Sequence, residues 1–334
     1  MPATPSHTDL LVIGGGPAGC AAARMAAGVG MRSILIEPDA LCRNLYRIPA
    51  LNNVLGGHTS GPALADAITD ELENTELCRL ELGRRVTHLQ VIDRPSGTSG
   101  HGTFPHATSP RAASPDANAA HANAAHVTVT LDTGARLTAP YAVVATGVGP
   151  LQPGDVPWIT APDGRALPPL WQAGADDAAG RTLLVLGGDR PIGTFLRAHP
   201  TTATRLLVAY PAADAYKTEE IRDDPRVTLL PVDHLTLRRD GGAATVTAEA
   251  VGPLGGRRTL TADAAYVSIG NAPTAPPGDL VRGADGYCPP GDQHPRLIVA
   301  GDLRSARYQR IMTALGSGSE AALRAYYASR ELPA

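Results

Sequence analysis

The stretch that decides the fold is residues 9–19, which read D-L-L-V-I-G-G-G-P-A-G. Its apolar run, Leu10–Ile13, is typical of a strand buried on both faces in a parallel sheet. Gly14, Gly16 and Gly19 then fit the pattern G-x-G-x-x-G, and the alanine-rich sequence after them favours a helix. The stretch therefore predicts a strand, a tight glycine turn and a helix in direct succession.

Each glycine of this turn has a physical role in a dinucleotide site. Gly14 permits the tight turn, Gly16 lets a pyrophosphate approach bare backbone, and Gly19 lets helix and strand pack closely. The predicted helix begins at Pro17 and Ala18, and the amino end of a helix attracts phosphate. Glycine turns between strand and helix also occur with no ligand, so the pattern needs support from elsewhere in the chain.

A second apolar strand supplies that support. In the predicted strand at residues 33–36, three apolar residues follow Ser33. Glu37 comes directly after this strand, 23 residues after Gly14. An acidic side chain at this distance is placed to accept hydrogen bonds from the ribose of an adenosine group. Glu37 therefore favours a dinucleotide site over a turn without a ligand.

Composition excludes several classes of function. The chain has 334 residues, of which 43% are hydrophobic and 18% charged, a globular profile with room for two domains. A net charge of -3 and the absence of a basic block argue against nucleic acid or an anionic membrane as the main partner. No apolar run is long enough to span a bilayer, and the first residues lack the basic and small-residue pattern of a leader. We expect a cytoplasmic protein.

The four cysteines, Cys20, Cys42, Cys78 and Cys288, lie far apart in the sequence. They form neither a C-x-x-C pair nor a metal-ligand spacing. In a cytoplasmic protein, we expect them to be free thiols, and we expect no metal site.

Further apolar runs predict the rest of the fold. Strands at 86–92, 127–131 and 137–144 indicate a small antiparallel layer that returns to the main sheet, and residues 62–77 have the spacing of a helix. Between these strands, residues 94–125 are rich in small and polar residues, which is typical of a flexible insertion.

A second strand and glycine turn occupies residues 182–193, T-L-L-V-L-G-G-D-R-P-I-G. Strands follow at 205–209, 229–237, 244–251, 259–269 and 297–300, and a helix with a Gly-Ser-Gly interruption is predicted at 309–329. The repeat predicts an α/β fold with two Rossmann-like, doubly wound domains, each with three layers of the ββα kind.

With the two glycine turns, A-T-G at 145–147, S-I-G-N-A-P at 268–273 and A-G-D at 300–302 in this order, the chain resembles the low-molecular-weight thioredoxin reductases. The resemblance spans nearly the whole chain. It implies an FAD domain formed by residues 1–150 and 268–334, interrupted by a smaller NAD(P)-type domain at 151–267. It also implies a homodimer and FAD at the first glycine turn.

The resemblance further implies which residues contact the flavin. Asp302 is similar to an aspartate that accepts hydrogen bonds from the ribityl hydroxyls; a helix cap is the other reading. The asparagines after the second strand match flavin-contacting amides, although such residues also favour turns. The implied contacts in these segments are Asn44, Asn53, Ala145, Thr146, Gly147, Gly301 and Asp302.

Residues 308–313, Y-Q-R-I-M-T, are similar to the family's Tyr-Arg-Gln-Ala-x-Thr, with arginine and glutamine transposed. The resemblance implies that Gln309, Arg310 and Ile311 lie at the pyrimidine edge of the flavin. A positive charge and a helix amino end there would stabilise an anionic reduced flavin. Alternatively, Arg310 points to solvent.

The chain departs from the family at the redox centre. Residues 151–180, where the family has its C-x-x-C, contain no cysteine. Because a thiolate must attack a disulfide sulfur in dithiol exchange, we expect no such exchange at this place. Cys42 falls near the flavin in this comparison and is a candidate for catalysis; a buried inert thiol is the alternative.

The second glycine turn also departs from the family. Asp189 stands where backbone must approach a pyrophosphate, and Ile192 stands where a small residue packs. After the following strand, residues 210–214 read Y-P-A-A-D and offer no arginine for the 2'-phosphate of NADP. We therefore expect a degraded NADPH site.

These observations favour an FAD-containing, thioredoxin reductase-like oxidoreductase without a redox dithiol, whose electron donor and acceptor the sequence leaves open. A small electron-carrier protein is one possible partner. A ferredoxin- or flavodoxin-NAD(P) reductase type of enzyme is one alternative, and a flavin-binding structural or sensor protein without catalysis is another.

Overall fold

The computed structural model describes residues 8–51, 53–93, 125–161, 166–238 and 245–332. The predicted insertion at 94–125 lies outside these residues, apart from residue 125. The strands are β1 (Leu10–Ile13), β2 (Ser33–Glu37), β3 (Cys78–Leu82), β4 (Val86–Ile92), β5 (His126–Leu131), β6 (Arg136–Ala139), β7 (Tyr141–Val144), β8 (Val148–Pro150), β9 (Ile159–Thr160), β10 (Thr182–Leu186), β11 (Arg205–Pro211), β12 (Val227–Val232), β13 (His234–Arg238), β14 (Val246–Val251), β15 (Arg257–Ala262), β16 (Ala264–Val267), β17 (Asn271–Pro273) and β18 (Leu297–Val299). The α-helices are α1 (Pro17–Gly28), α2 (Gly61–Glu73), α3 (Ala175–Ala178), α4 (Pro191–Ala198) and α5 (Ile311–Ser329).

The chain divides into two compact units. Among the described residues, the first unit contains 8–42, 68–93, 125–147 and 275–332, and the second contains 43–51, 53–67, 148–161, 166–238 and 245–274. Each unit is thus assembled from separate segments of the chain. Residues 43–67 belong to the second unit, whereas the sequence placed them with the first. The domain boundaries at 150 and 267 stay predictions.

The first unit is built on a five-stranded parallel sheet in the order β18, β7, β1, β2, β3. Every residue of β1 and β7 is buried, which explains their unbroken apolar sequences. One face of this sheet packs on the antiparallel sheet of β4, β5 and β6, through Leu11, Ile13, Leu89 and Val129 among others. Helices α1 and α5 pack on each other in the same unit. The unit therefore has the predicted three layers.

The second unit repeats this plan. Strands β12, β11, β10 and β16 form a parallel sheet. Leu184 and Leu186 face the mixed sheet of β9, β13, β14 and β15, whereas Leu183 and Val185 face the side that carries α4. Alternate residues of one strand thus contact two different layers, and the prediction of two Rossmann-like domains is confirmed.

Several predicted elements differ from those observed. The helix expected at 62–77 ends at Glu73, because the chain turns at residues 74–77 and enters β3, a strand the sequence did not predict. The runs 229–237 and 259–269 each form two strands, since polar Asp233 and Asp263 interrupt them. No helix in the described part of the chain is both long enough and apolar enough to cross a membrane.

The Gly-Ser-Gly sequence at 316–318 does not interrupt α5, so this part of the sequence prediction was wrong. A β-carbon at Gly318 would collide with the backbone carbonyl of Ala18 in α1. Glycine therefore permits the close approach of the two helices. Between the two glycines, the Ser317 hydroxyl accepts a 2.9 Å hydrogen bond from the amide of Gly301.

Candidate functional site

The candidate site lies at one edge of the first parallel sheet. Adjacent strands pair in register, with Ile13 beside both Ile36 and Val144, and Val299 beside Val144. The four strands β18, β7, β1 and β2 therefore end side by side. In open parallel sheets, ligands bind outside the carboxyl ends of the strands. The residues that follow these ends are Gly14, Gly16, Pro17, Ala18, Gly19, Ala145, Thr146, Gly147, Gly301 and Asp302, and Glu37 is the last residue of β2.

Two glycines of the first turn are required by the protein's own packing. Gly14 has a φ of 103°, and a β-carbon there would lie 2.5 Å from the carbonyl oxygen of Ala145. A β-carbon at Gly19 would collide with the carbonyl of Gly14. These two positions therefore need glycine whether or not a ligand binds.

Gly16 is different. It is the N-cap of α1 with a φ of -73°, which any L residue adopts, and a β-carbon there would meet no atom of the described residues within 4 Å. Nothing in the protein's own packing explains glycine at this position. The backbone is bare at the amino end of a 12-residue helix, and such helix ends attract phosphate groups.

The Glu37 carboxylate is held against the same turn. Its Oε2 accepts a 2.6 Å hydrogen bond from the amide of Gly15, and its Oε1 accepts a 3.0 Å hydrogen bond from the amide of Asp39. Each oxygen has further acceptor capacity, and the side chain is half-buried. These contacts fix the carboxylate beside the glycine turn, where ribose hydroxyls can donate to it.

Asp302 stands at the other side of this edge, after β18. Gly301 before it has a φ of 69° and approaches the Ala18 side chain closely, which positions the start of this segment against α1. Burial raises the pKa of the Asp302 carboxyl to about 6, although the Arg304 guanidinium acts in the opposite direction. A half-buried carboxylate of this kind gains stability from any hydroxyl that donates to it.

The resemblance implied flavin contacts for the residues at the start of α5, and the structure shows hydrogen bonds of Gln309 and Arg310 to other protein groups. The Gln309 side-chain amide donates to the carbonyl of Ser305 at 3.1 Å and to the Tyr287 hydroxyl at 3.2 Å. Arg310 is exposed, and its guanidinium donates to the carbonyl of Gln309 at 2.6 Å. Ile311 is the first residue of α5. The contacts of Gln309 stabilise the loop that leads from Asp302 to α5; flavin contacts of all three residues stay predictions.

Asn44 and Asn53 belong to the second unit. The Asn44 side-chain oxygen accepts a 3.0 Å hydrogen bond from Arg47, whose guanidinium lies 3.6 Å from the centre of the Trp171 ring. Asn53 is exposed. Their contact with a flavin stays a prediction.

The second glycine turn copies the first in outline. Gly187 follows β10 with a φ of 96°, and a β-carbon there would collide with the carbonyl of Ser268 after β16. A β-carbon at Gly188 would lie 2.7 Å from the side chain of Thr218. Both glycines are therefore explained by packing, and neither needs a ligand.

The position that matches Gly16 is Asp189, whose backbone is held by Ser268. The Asp189 amide donates to the Ser268 carbonyl at 3.1 Å, and the Ser268 hydroxyl donates to the Asp189 carbonyl at 3.2 Å. Ile192 on α4 is fully buried among apolar residues. A Glu220 oxygen lies 2.7 Å from where a Gly193 β-carbon would stand, and this carboxylate pairs with Arg197. Asp189 thus precedes α4, and a carboxylate that is ion-paired with Arg197 lies against the first turn of this helix.

The segment after β11 contains a cation that the sequence reading passed over. Lys217 is the one lysine of the chain and lies on the 3₁₀ helix Ala212–Ile221. Its ammonium is 3.0 Å from the Asp214 carboxylate. An ion pair with Asp214 reduces its attraction for a 2'-phosphate, so this lysine is a poor substitute for an arginine pair.

The sequence reading also missed a pair of thiols. Cys20 on α1 and Cys42 after β2 are both buried, and their sulfurs lie 3.8 Å apart. A signal was present: each cysteine follows a strand end by a few residues, and β1 and β2 are neighbours. Among the described residues, no group of three or more histidine, cysteine or acidic side chains is arranged to hold a metal.

No protein-family model matches the chain. The F subunit of alkyl hydroperoxide reductase from Pseudomonas putida is 24% identical over 334 residues, and the match covers 95% of this chain and 57% of that protein. The chain thus spans less than two thirds of that relative's length.

Solved structures align over nearly the whole chain. Thioredoxin reductase from Lactococcus lactis aligns with a TM-score of 0.73 at 18% identity, covering 97% of this chain and all of that one (100%). Thioredoxin reductase from T. acidophilum gives 0.71 at 16% identity, with coverages of 96% and 98%. Bacillithiol disulfide reductase from Bacillus cereus gives 0.64 at 16% identity, with coverages of 97% and 100%.

The two Rossmann-like units and these alignments show that the chain has the fold of the pyridine nucleotide-disulfide oxidoreductases. Within that class, the fold is that of the thioredoxin reductases.

Proposed function

We propose that this protein is an FAD-dependent oxidoreductase that binds the ADP part of FAD at the first glycine turn. The observation that carries the proposal is Gly16, a glycine that the protein's own packing does not require, at the amino end of α1. A pyrophosphate beside bare backbone explains this residue. The corresponding position of the second unit is occupied by Asp189, so the same argument for a bound pyrophosphate does not apply there.

The neighbouring residues fit the other parts of FAD. The amino end of α1 would attract the pyrophosphate, and Glu37 would accept from the adenosine ribose. Asp302 would accept from the ribityl hydroxyls, which compensates the cost of burying its charge. The segment 145–147 and the start of α5 would complete the site. FAD would supply the electron-transfer chemistry, whereas these residues would bind it, orient it and adjust its potential.

We further propose that electrons leave the flavin without a protein C-x-x-C, since residues 151–180 contain no cysteine. The second unit would be a degraded NAD(P)-binding domain, in which the carboxylate of Asp189 disfavours a pyrophosphate. The electron donor would then be a molecule other than NADPH. A small electron-carrier protein is the simplest candidate for this donor. We propose a cytoplasmic homodimer as the functional form.

Two other functions make different demands on the same site. A ferredoxin- or flavodoxin-NAD(P) reductase needs a working nicotinamide site, which Asp189 argues against. A flavin-binding protein without catalysis needs no donor at all.

Anaerobic reduction followed by a screen of acceptors separates these functions. The FAD-loaded protein is mixed with reduced ferredoxin, reduced flavodoxin, NADH or NADPH, and flavin bleaching is followed before acceptors are added. We expect bleaching by a protein donor and reoxidation by an acceptor. A flavin that is reduced only by light would contradict an enzymatic role, and fast NADPH reduction would favour the reductase type.

Thioredoxin is expected not to be a substrate. Three of the four cysteines are buried, and the fourth, Cys78, is only partly exposed, so no sulfur is placed to attack a disulfide on a partner protein. Thioredoxin reduction by the photoreduced, FAD-loaded protein should equal that of free FAD. Rapid reduction would refute this, and Cys42→Ser would then test whether Cys42 carries the activity.

Affinity for FAD is expected to rise with pH through the titration of Asp302. The carboxyl has a pKa of about 6 without ligand, and a donating ribityl hydroxyl favours the ionised form. If binding returns the pKa to about 4, affinity rises roughly tenfold between about pH 5 and pH 7. Fluorescence titration at each pH measures this rise.

The variant Asp302→Asn should flatten this pH profile, because the amide does not titrate. Asp132→Asn, in the exposed turn between β5 and β6, is the matched control and should keep the wild-type slope. An unchanged slope in Asp302→Asn would show that Asp302 does not bind the flavin.

A further inference from the structure

The buried sulfurs of Cys20 and Cys42 are placed as a reactive pair. They lie 3.8 Å apart although the residues are 22 positions apart in sequence, and each residue is only 1% exposed. Neither thiol has a part in the proposed binding of FAD. The pair is separate from any C-x-x-C arrangement and arises only from the folding of β1 and β2 side by side.

Both cysteines are fixed by the carbonyl of Gly15 in the first glycine turn. The Cys42 amide donates to this oxygen at 2.8 Å, and the Cys20 thiol donates to it at 3.2 Å. Cys42 also has a φ of 53°, a left-handed conformation that is uncommon for residues other than glycine. One carbonyl oxygen thus holds the backbone of Cys42 and the thiol of Cys20, which keeps their sulfurs adjacent.

We propose that Cys20 and Cys42 are a redox-modification site, at which a low-molecular-weight disulfide such as oxidised glutathione converts the two thiols into an intramolecular disulfide. The sulfurs must approach from 3.8 Å to about 2.05 Å, a change within the range of side-chain rotation. The bond would covalently link the start of α1 to the segment that follows Glu37.

The reaction balances in two exchange steps. One cysteine thiolate attacks a sulfur of the small disulfide, forms a mixed disulfide and releases the first small thiol. The second cysteine then attacks the protein sulfur of that mixed disulfide and releases the second small thiol. Two electrons pass from the protein sulfurs to the small disulfide, and the two thiol protons end on the released thiols.

The surroundings make this a slow reaction that responds to sustained oxidation. The hydrogen bond to Cys42 and burial raise the pKa of the Cys20 thiol, and Cys78 and Glu37 face it and act in the same direction. Thiolate is therefore scarce at neutral pH, and small oxidants reach the pair only when the surrounding segment opens. A reducing cytoplasm would keep the pair as thiols.

The test uses the wild-type protein in native buffer with oxidised glutathione, followed by unfolding in the presence of an alkylating agent and tryptic digestion without reductant. Of the four thiols of the chain, we expect two to be lost. The digest should contain one linked species, which joins the peptide ending at Arg24 to the peptide from Ser33 to Arg43. The readout is independent of flavin, so it stands or falls separately from the proposed function.

Two variants sharpen the result. Cys78→Ser should still lose two thiols and form the same linked species, whereas Cys42→Ser should form none. A wild-type digest with only singly glutathionylated cysteines, or with a link from Cys20 or Cys42 to Cys78, would overturn the proposal. In a further sample, the protein is denatured before oxidation. If that sample yields the same link between Cys20 and Cys42, the pairing does not depend on the fold, which would also overturn the proposal.

Discussion

Replacing Gly16 with valine is expected to leave a folded protein that no longer holds FAD. Within the part of the chain that the structure describes, a β-carbon at this position meets no atom within 4 Å, and the φ of -73° suits valine, so the apoprotein should fold. The added methyl groups would occupy the space where the pyrophosphate approaches. Losing two charge-assisted hydrogen bonds of about 1.5 to 3 kcal/mol each weakens FAD by about two to four orders of magnitude. Flavin fluorescence titration measures affinity, and circular dichroism measures folding.

Two other glycines of α1 are the matched controls. Gly19→Ala places a β-carbon against the carbonyl of Gly14, so we expect a loss of folding itself. Gly28→Ala, at the far end of the helix, meets only a side-chain atom of Arg24 at 3.7 Å and should bind FAD normally. Wild-type FAD affinity in the Gly16 variant would show that the first turn is not the pyrophosphate site.

NADPH is expected to bind poorly and to reduce the flavin slowly, if at all. Two separate causes act in the second unit. The loss of two arginine contacts to the 2'-phosphate, at about 1.5 to 3 kcal/mol each, weakens NADPH by about two to four orders of magnitude and spares NADH. The carboxylate of Asp189, at the position that matches Gly16, repels the pyrophosphate and weakens both nicotinamide cofactors, whereas the ion pair of Glu220 with Arg197 reduces the contribution of Glu220. Stopped-flow bleaching of the flavin absorbance measures both effects.

The variant Asp189→Gly separates the two causes. It should improve NADH and NADPH binding by the same factor, since it removes a charge near the pyrophosphate and leaves the 2'-phosphate region unchanged. Asp214→Asn, which frees Lys217 from its ion pair, should improve NADPH alone. Fast reduction of the wild-type flavin by NADPH would contradict both causes, and fast reduction by NADH alone would contradict only the pyrophosphate cause.

The strand ends that form the candidate site could be predicted from the sequence, because each lies within a few residues of its own apolar run. Gly14 follows β1 and Asp302 follows β18, so local patterns were enough. The fold class followed in the same way, since two strand-turn-helix repeats predict two Rossmann-like units. The G-x-G-x-x-G pattern likewise assigned Gly14 and Gly19 to the turn and to packing, whereas the sequence did not show that packing requires Gly187, Gly188 and Gly318.

Features that depend on contacts between distant segments were not predicted. The sulfurs of Cys20 and Cys42 meet only because β1 and β2 pair in register. Gly318 was expected to interrupt a helix, whereas it permits α5 to approach Ala18. The Asp214 and Lys217 pair depends on the 3₁₀ helix after β11, which apolar periodicity does not predict. In each case, the partner segment decides the role of the residue.

Reconstitution with FAD tests the central claim most directly. The purified wild-type chain is stripped of ligand, incubated with excess FAD and passed through gel filtration, and the visible flavin absorbance that co-elutes is compared with the protein concentration. We expect one FAD for each chain, retained by the wild type and absent from Gly16→Val. A folded wild-type protein that elutes without flavin after this treatment would contradict the account.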